Sequence, residues 1–164
     1  KSNVYKRQVM DKKIIIEKKT QLIEYSQDKE KNKKDWMIGT EHEKFIFSLK
    51  NFHSVDYKGE NGIEKLLLIL KKNSGWKGIY ENKNIIGLIA DDKSSISLEP
   101  GGQFELSGAA LKNLHMTCDE TGTHLKELRK ALQDLDLGMA GFGFHPIRSR
   151  ANSNFMPTGR YAII

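Results

Sequence analysis

Residues 38 to 47 (IGTEHEKFIF) carry two glutamates, Glu41 and Glu43, inside a run that is otherwise typical of a buried strand. Side chains alternate between the two faces of a strand, so both carboxylates share a face with Phe45 and Phe47. Two like charges on a partly apolar face repel each other, and desolvation penalises each of them. This pattern therefore requires a neutralising partner, which is a proton, a basic side chain or a metal ion.

A second acidic stretch, SSISLEPGGQFELSG, spans residues 94 to 108. It predicts two short strands, each with one polar and one apolar side, joined by a turn at Pro-Gly-Gly. If these strands pair, Glu99, Gln103 and Glu105 cluster, and beside the first glutamate pair they form an oxygen-rich site. Such a site suits Mg²⁺ or Mn²⁺. The alternative is that these carboxylates only cover the solvent faces of half-exposed strands.

Three arginines near the end of the chain, Arg148, Arg150 and Arg160, are further candidates, because the sequence has only 5 Arg beside 22 Lys. Arginine binds carboxylate and phosphate groups in a bidentate manner that lysine cannot match. A solvated loop is the alternative interpretation of this cluster.

The histidines and the cysteine give weaker signals. His42 has the opposite parity from its two glutamate neighbours, so TEHEK is not the helical HExxH zinc motif, and a structural or surface role is predicted. His115 follows the second acidic stretch in sequence and is a candidate ligand or nucleotide-binding residue. Cys118 lies on the predicted apolar face of a helix, which favours packing.

The elements that must position these residues follow from hydrophobic periodicity. The pattern predicts an α+β fold in which helices flank a strand-rich middle. Predicted helices cover residues 12–28, 63–73 and 111–137, the last with Gly122 as a break or bend; predicted strands cover 36–47, WKGIYE, NIIGLIA, SSISLE, QFELS and GMAGFGFHP.

Composition limits the class of protein. A chain of 164 residues with 38% hydrophobic and 29% charged residues is typical of one soluble domain. It has no membrane-length apolar run and no secretory signal. One cysteine excludes an internal disulfide, from which we predict a cytoplasmic location. The chain begins at Lys1 and stops in the apolar run GRYAII, so we expect a fragment.

The net charge of +6 comes from the first 34 residues, which hold 11 Lys and Arg beside 5 Asp and Glu. Residues 35–164 are neutral. We therefore predict a lysine-rich N-terminal helix or leader over 1–34, a separate domain over 35–164, and no nucleic-acid partner.

Five motifs in this order, IGTEHEKF, LEPGGQFELSG, LHMTCDE, GFGFHP and MPTGRY, resemble the N-terminal part of glutamate-cysteine ligases of the plant and proteobacterial type. The resemblance runs from Trp36 to the last residue and implies that residues 35–164 are the N-terminal part of the catalytic domain, truncated at its C-terminus. It implies a glutamine-synthetase-like fold, in which an antiparallel sheet forms a funnel around Mg²⁺ ions. It also implies that ATP phosphorylates the γ-carboxylate of glutamate and that the cysteine amine attacks the acyl phosphate, the first step of glutathione synthesis.

The resemblance also implies roles for individual residues. The expected metal ligands are Glu41, Glu43, Glu99 and Glu105; Gln103 is a polar neighbour, and Arg160 is the catalytic candidate that orients the glutamate substrate or phosphate. His115 and Arg148 are expected to contact substrate or nucleotide. Glutamate, cysteine and ATP are the expected partners, with Mg²⁺ or Mn²⁺ as cofactor and no membrane. The alternatives are another carboxylate-amine ligase of the same superfamily and a non-catalytic binding module.

Overall fold

The computed structural model describes residues 15–149, 151, 153 and 155–162, and the chain divides into two compact units, residues 1–36 and 37–164. The first unit contains α1 (Lys19–Gln27) and a 3₁₀ turn (Lys33–Asp35), neither of which has a buried residue. Helix α1 is shorter than predicted, and residues 12–14 of that prediction lie outside the described residues. The predicted domain boundary between residues 34 and 35 stays a prediction.

The second unit is built on one antiparallel sheet. Its strands are β1 (Glu41–Ser48), β2 (Lys77–Glu81), β3 (Asn84–Ile89), β4 (Ser95–Leu98), β5 (Phe104–Ser107) and β6 (Leu137–Ala140), in the order β2-β3-β4-β5-β1-β6. Helices α2 (Ile63–Ser74) and α3 (Leu114–Gln133) complete the fold. This confirms the predicted α+β class. The predicted strand over GMAGFGFHP is confirmed only for its first residues, since β6 ends at Ala140.

Left-handed backbone positions close the turns between these elements. Asn82 and Lys83 join β2 to β3 with φ values of 47° and 71°, and Gly102 has a φ of 85° before β5. Helix α2 ends at Gly75, which has a φ of 72°. Glycine adopts this region at little cost, so both glycines fix the direction in which the chain leaves the preceding element.

The core forms where one face of the sheet meets α2 and α3. Alternate residues of the middle strands are buried together with one stripe of each helix, as the 2-residue and 3.6-residue periods require. The buried side chains include Ile46, Ile96, Leu98, Phe104 and Leu106 from the sheet, Leu66, Leu67 and Leu70 from α2, and Leu128, Ala131 and Leu132 from α3.

Helix α3 differs from its predicted packing. Leu128 and Leu132 are buried as expected, but the buried residues of the first half are Thr117 and His124. Cys118 is exposed, so the prediction that it packs in the core is wrong. The buried face passes through Thr117, and the next residue lies about 100° further around the helix. The helix continues without interruption through Gly122.

Among the described residues, every helix is too short or too polar to cross a membrane.

Candidate functional site

The two acidic strands are direct neighbours in the sheet. Strand β1 pairs with β5 so that Glu43 lies opposite Glu105, and Glu41 lies opposite Ser107. Residues 42, 44 and 46 point to the other face, where Lys44 and Ile46 are buried. The register therefore places the carboxylates of both strands on the face that does not carry the helices.

Two serines hold the Glu105 carboxylate from both sides. Ser97 Oγ donates a hydrogen bond to Glu105 Oε2 over 3.1 Å, and Ser107 Oγ donates to Oε1 over 2.9 Å. Ser97 lies opposite Glu105 on β4, and Ser107 lies two residues further along β5. Outer hydrogen bonds of this kind orient a carboxylate and leave lone pairs on both of its oxygens for a ligand.

Gln103 holds the second carboxylate of the pair. Its Nε2 donates to Glu43 Oε2 over 2.6 Å and to the Phe142 carbonyl over 3.1 Å. The same side chain therefore orients Glu43 and connects the β4–β5 turn to the glycine-rich loop that follows β6.

Glu99 completes the group at the end of β4. Burial raises the pKa of Glu99, and the neighbouring Glu105 and Glu43 raise it further, whereas Arg160 lowers it. Arg160 Nη2 lies 3.8 Å from Glu99 Oε1. One guanidinium thus partly offsets three carboxylates, and the charge of this cluster of Glu43, Glu99 and Glu105 stays negative.

A tyrosine fixes the position of Arg160. Arg160 Nη2 donates to Tyr161 Oη over 2.7 Å, and the guanidinium lies 4.8 Å from the centre of that ring. Tyr161 is buried and donates its own hydroxyl proton to the Leu98 carbonyl, the residue before Glu99. The 3₁₀ turn Gly159–Ala162 is therefore attached to the acidic end of β4.

Glu41 lies at the exposed edge of the site. Together with Glu43 and the loop Gly141 to Gly143 it lines an open cleft of about 480 Å³. This cleft gives a solvent path to the carboxylates.

The carboxylate oxygens of this group suit a hard cation, although the described side chains do not surround one position closely enough to coordinate an ion. Among the described residues, no three His, Cys, Asp or Glu side chains converge closely enough to hold a metal ion. The carboxylates nevertheless face one another across the strands with excess negative charge, and their hydrogen-bond donors leave oxygens available. Carboxylate oxygens with room for water are the ligands that Mg²⁺ takes.

The other predicted site residues lie apart from this group. His115 is exposed in the first turn of α3, and its predicted ligand role stays a prediction. Arg148 lies in a separate recess of about 280 Å³ beside His53 and Ser54. Arg150 lies outside the described residues.

A buried basic cluster under the carboxylates was not predicted. Lys44 is only 2% exposed, and its Nζ donates to the His42 carbonyl over 2.6 Å. Burial lowers the pKa of Lys44 to about 8. Burial also lowers the pKa of His124 to about 3, with Lys44 and His42 contributing. The parity of Lys44, opposite to that of its glutamate neighbours, was a signal for its place in the core.

The buried nitrogens His42 Nδ1 and His124 Nε2 have no hydrogen-bond partner among the described residues. His42 therefore occupies the core side of the sheet, in agreement with its predicted structural role, and not the carboxylate face.

Comparisons with known proteins relate the chain to one enzyme family. Residues 37–164 match the family model described as glutamate-cysteine ligase family 2. The chain is 44% identical over 146 residues to a chloroplastic glutamate-cysteine ligase of Medicago truncatula, which covers 89% of this chain and 28% of that protein. It is 42% identical over 146 residues to the chloroplastic glutamate-cysteine ligase A of Oryza sativa subsp. japonica, and the match covers 89% of this chain and 29% of that protein. It is also 42% identical over 143 residues to the chloroplastic glutamate-cysteine ligase of Arabidopsis thaliana, and that match covers 87% of this chain and 27% of that protein. The chain thus spans little more than a quarter of these relatives.

The comparisons overturn the predicted cytoplasmic location. The names of these relatives place them in the chloroplast and not in the cytoplasm. The prediction was wrong because a lone cysteine excludes an internal disulfide but does not distinguish one compartment from another.

Proposed function

The chain belongs to glutamate-cysteine ligase family 2, and on that premise we propose that the complete protein carrying it ligates L-glutamate to L-cysteine with ATP. The γ-carboxylate of glutamate takes the γ-phosphoryl group of ATP, and ADP leaves. The cysteine amine then attacks the acyl carbon, phosphate leaves, and γ-glutamylcysteine forms. This product belongs to glutathione biosynthesis.

The observation that carries this proposal is the placement of Glu43 opposite Glu105, with Glu99 close enough for both carboxylates to raise its pKa. We propose that these three residues and Glu41 hold one or more Mg²⁺ or Mn²⁺ ions. When bound, such ions neutralise the charge that develops on phosphate oxygens during transfer. The residues of this chain provide the oriented oxygens for them.

Arg160 has a second part in the proposed site. Its guanidinium, held by Tyr161, is a planar donor beside the carboxylates. A fork of this kind orients a substrate carboxylate or a phosphate in a fixed direction, which lowers the entropy cost of reaching the reactive geometry. We therefore propose that Arg160 binds the glutamate substrate or the transferring phosphoryl group. A glutamine-synthetase-like funnel closed by the remainder of the protein fits the six-stranded antiparallel sheet.

The test is to replace Glu43 and Glu105 singly by glutamine in the complete protein. Glutamine keeps the size of the side chain and removes its charge. We expect γ-glutamylcysteine formation to fall at least about a hundredfold, because outer-sphere partners alone already cost 10-fold to 100-fold. The Mg²⁺ concentration for half-maximal activity should rise in both variants.

Glu60→Gln is the matched control, because Glu60 is exposed in the loop before α2. Unchanged turnover and unchanged Mg²⁺ dependence in Glu43→Gln and Glu105→Gln would refute the metal assignment.

A further inference from the structure

Arg160 stands between two residues that are attached to the sheet. On one side the hydroxyl of Tyr161 donates to the Leu98 carbonyl at the end of β4. On the other side the backbone N–H of Gly159 donates to Glu81 Oε1 over 2.8 Å, at the end of β2. Strands β2 and β4 flank β3 in the sheet, so the chain at Arg160 is fixed at two separate strands.

The hairpin that joins β2 to β3 fixes the main chain at Glu81. Asn82 and Lys83 make a two-residue turn, with both residues in the left-handed region, immediately after Glu81. Gly159 is the first residue of the 3₁₀ turn that contains Arg160. The first N–H groups of a helical turn have no acceptor inside the turn, and a carboxylate is a stronger acceptor than a neutral oxygen. Glu81 therefore anchors the start of this turn to β2.

Gly159 leaves the space that this carboxylate occupies. A Cβ at Gly159 would lie 2.6 Å from Glu81 Oε1, which is closer than nonbonded atoms approach. The backbone of Gly159 lies outside the left-handed region, so alanine is compatible with its conformation. The carboxylate is at the end of a flexible side chain and can move away from an added methyl group. Gly159→Ala should therefore break the hydrogen bond without disrupting the fold.

We infer that Glu81 is a positioning residue for Arg160, an inference that rests on the substrate-binding role proposed for Arg160 above. Its carboxylate acts through the backbone of Gly159 and holds the 3₁₀ turn where the guanidinium lies 3.8 Å from Glu99. An arginine fork orients a carboxylate or a phosphate only while its own position is fixed. Without the Glu81 carboxylate the start of the turn loses its attachment to β2, and a smaller fraction of molecules presents Arg160 in the binding geometry.

The first test measures kcat/KM in the complete protein for the substrate that Arg160→Gln impairs, glutamate or ATP. Glu81→Ala should lower this kcat/KM about threefold to tenfold, the range for one hydrogen bond, and Glu81→Gln, which keeps an oxygen acceptor, should restore it. Gly159→Ala should lose as much as Glu81→Ala, and the double variant no more than either, because both changes break the same bond. Glu60→Ala is the matched control at an exposed position.

A second comparison separates positioning of Arg160 from a merely structural role. If Glu81 acts through Arg160, adding Glu81→Ala to Arg160→Gln should cost no further activity. A further loss of threefold or more in that background would overturn the inference, since the hydrogen bond would then act independently of the guanidinium. An unchanged kcat/KM in Glu81→Ala, or an equal loss in Glu81→Gln, would overturn it as well.

A binding measurement distinguishes this inference from the function on which it rests. Calorimetry compares the parent protein with Glu81→Ala and Glu81→Gln, with L-glutamate and a non-hydrolysable ATP analogue as probes. At least one probe should bind about threefold to tenfold more weakly to Glu81→Ala and with parental affinity to Glu81→Gln. If no γ-glutamyl product forms while this difference persists, the ligase proposal fails and the positioning role of Glu81 stands. If both probes bind equally to all three proteins, or neither binds to the parent, the positioning role fails.

Discussion

Glu105 shows at the scale of one residue how the sheet orients the carboxylate that we propose as a metal ligand. Both of its oxygens accept a serine hydroxyl, and it faces Glu43 across the ladder. These neighbours can do little to neutralise its charge, because hydroxyls are weak substitutes for a cation. The carboxylate is thus oriented and only partly compensated, which is compatible with the metal-binding role proposed for it.

His124, a buried residue of α3 that stacks on Phe104 of the sheet, creates a pH dependence of stability. In the folded chain the pKa of His124 is about 3, chiefly because the side chain is buried. In the unfolded chain the pKa of this histidine is 6.5. Between these values the unfolded state binds more protons, so stability rises with pH and is lost as pH falls below 6.5.

We expect the free energy of unfolding to fall by up to about 1.4 kcal/mol per pH unit from this group. In His124→Phe this component should be absent, while the ring keeps its place beside Phe104. Urea unfolding of both chains between pH 4.5 and 7.5 measures the difference. His115→Phe, at an exposed position, should leave the pH dependence of the parent chain unchanged. A difference between His124→Phe and the parent that does not grow as pH falls would contradict the assignment.

At the scale of elements, α3 fixes the end of the strand that carries Glu105. Glu120 on α3 accepts a hydrogen bond from the Ala109 backbone N–H over 2.7 Å and one from Thr40 Oγ1 over 3.4 Å. Residues 40 and 109 adjoin β1 and β5, respectively. One helical carboxylate therefore attaches to the ends of both site strands.

Replacing each of two glycines by alanine is expected to change the stability of the chain in opposite directions. A Cβ at Gly108 would overlap the Glu120 carboxylate and come within 2.8 Å of Thr40 Oγ1. Gly108→Ala should therefore destabilise the chain by about 1–3 kcal/mol, the usual cost of overpacking. No atom lies within 4 Å of a Cβ at Gly122, which is inside α3. Gly122→Ala should stabilise the chain by about 0.5–1 kcal/mol, because alanine favours the helix.

Urea unfolding at constant pH compares both variants with the parent chain. Destabilisation by Gly122→Ala would mean that the helix needs a glycine there, as the predicted bend implied.

At the scale of the whole molecule, the packed core and most of the net charge lie in different units. The described residues of the first unit have no buried side chain, and the buried apolar residues run from Ile46 to Tyr161. Residues 1–36 hold 11 Lys and Arg beside 6 Asp and Glu, whereas residues 37–164 hold 16 and 15. The first unit contributes most of the net positive charge, +5 of +6, and the second contributes the packed interior.

Deletion of residues 1–36 should therefore leave the thermal midpoint of unfolding unchanged and lower the isoelectric point from about 9.3 towards neutrality. Circular dichroism and isoelectric focusing measure the two quantities. A midpoint that falls by several degrees would show that the first unit stabilises the core, because about 1 kcal/mol shifts the midpoint by a few degrees in a domain of this size.

The sequence was most informative where a period of two or a turn residue decides the structure. Alternation along β1, β4 and β5 predicted which side chains share a face, and the glycines and asparagines predicted the hairpins. It was less informative on α3, where leucine spacing suggested an apolar stripe through Cys118 but Thr117 and His124 occupy the buried face. Thr117 and His124 are buried because the helix packs against strands that are distant in sequence. The periodicity of one helix does not predict those contacts.

The sequence by itself determined the composition of the site, because the parity of Glu41 and Glu43, the parity of Glu99 and Glu105, and the scarcity of arginine are local properties. Only the tertiary structure decided that β1 lies between β5 and β6, so that Glu43 meets Glu105. It also placed Arg160 beside Glu99 and Arg148 in a separate recess. The physical reason is that pairing between strands more than 50 residues apart depends on the burial of the whole sheet against two helices, and no local spacing encodes that partner.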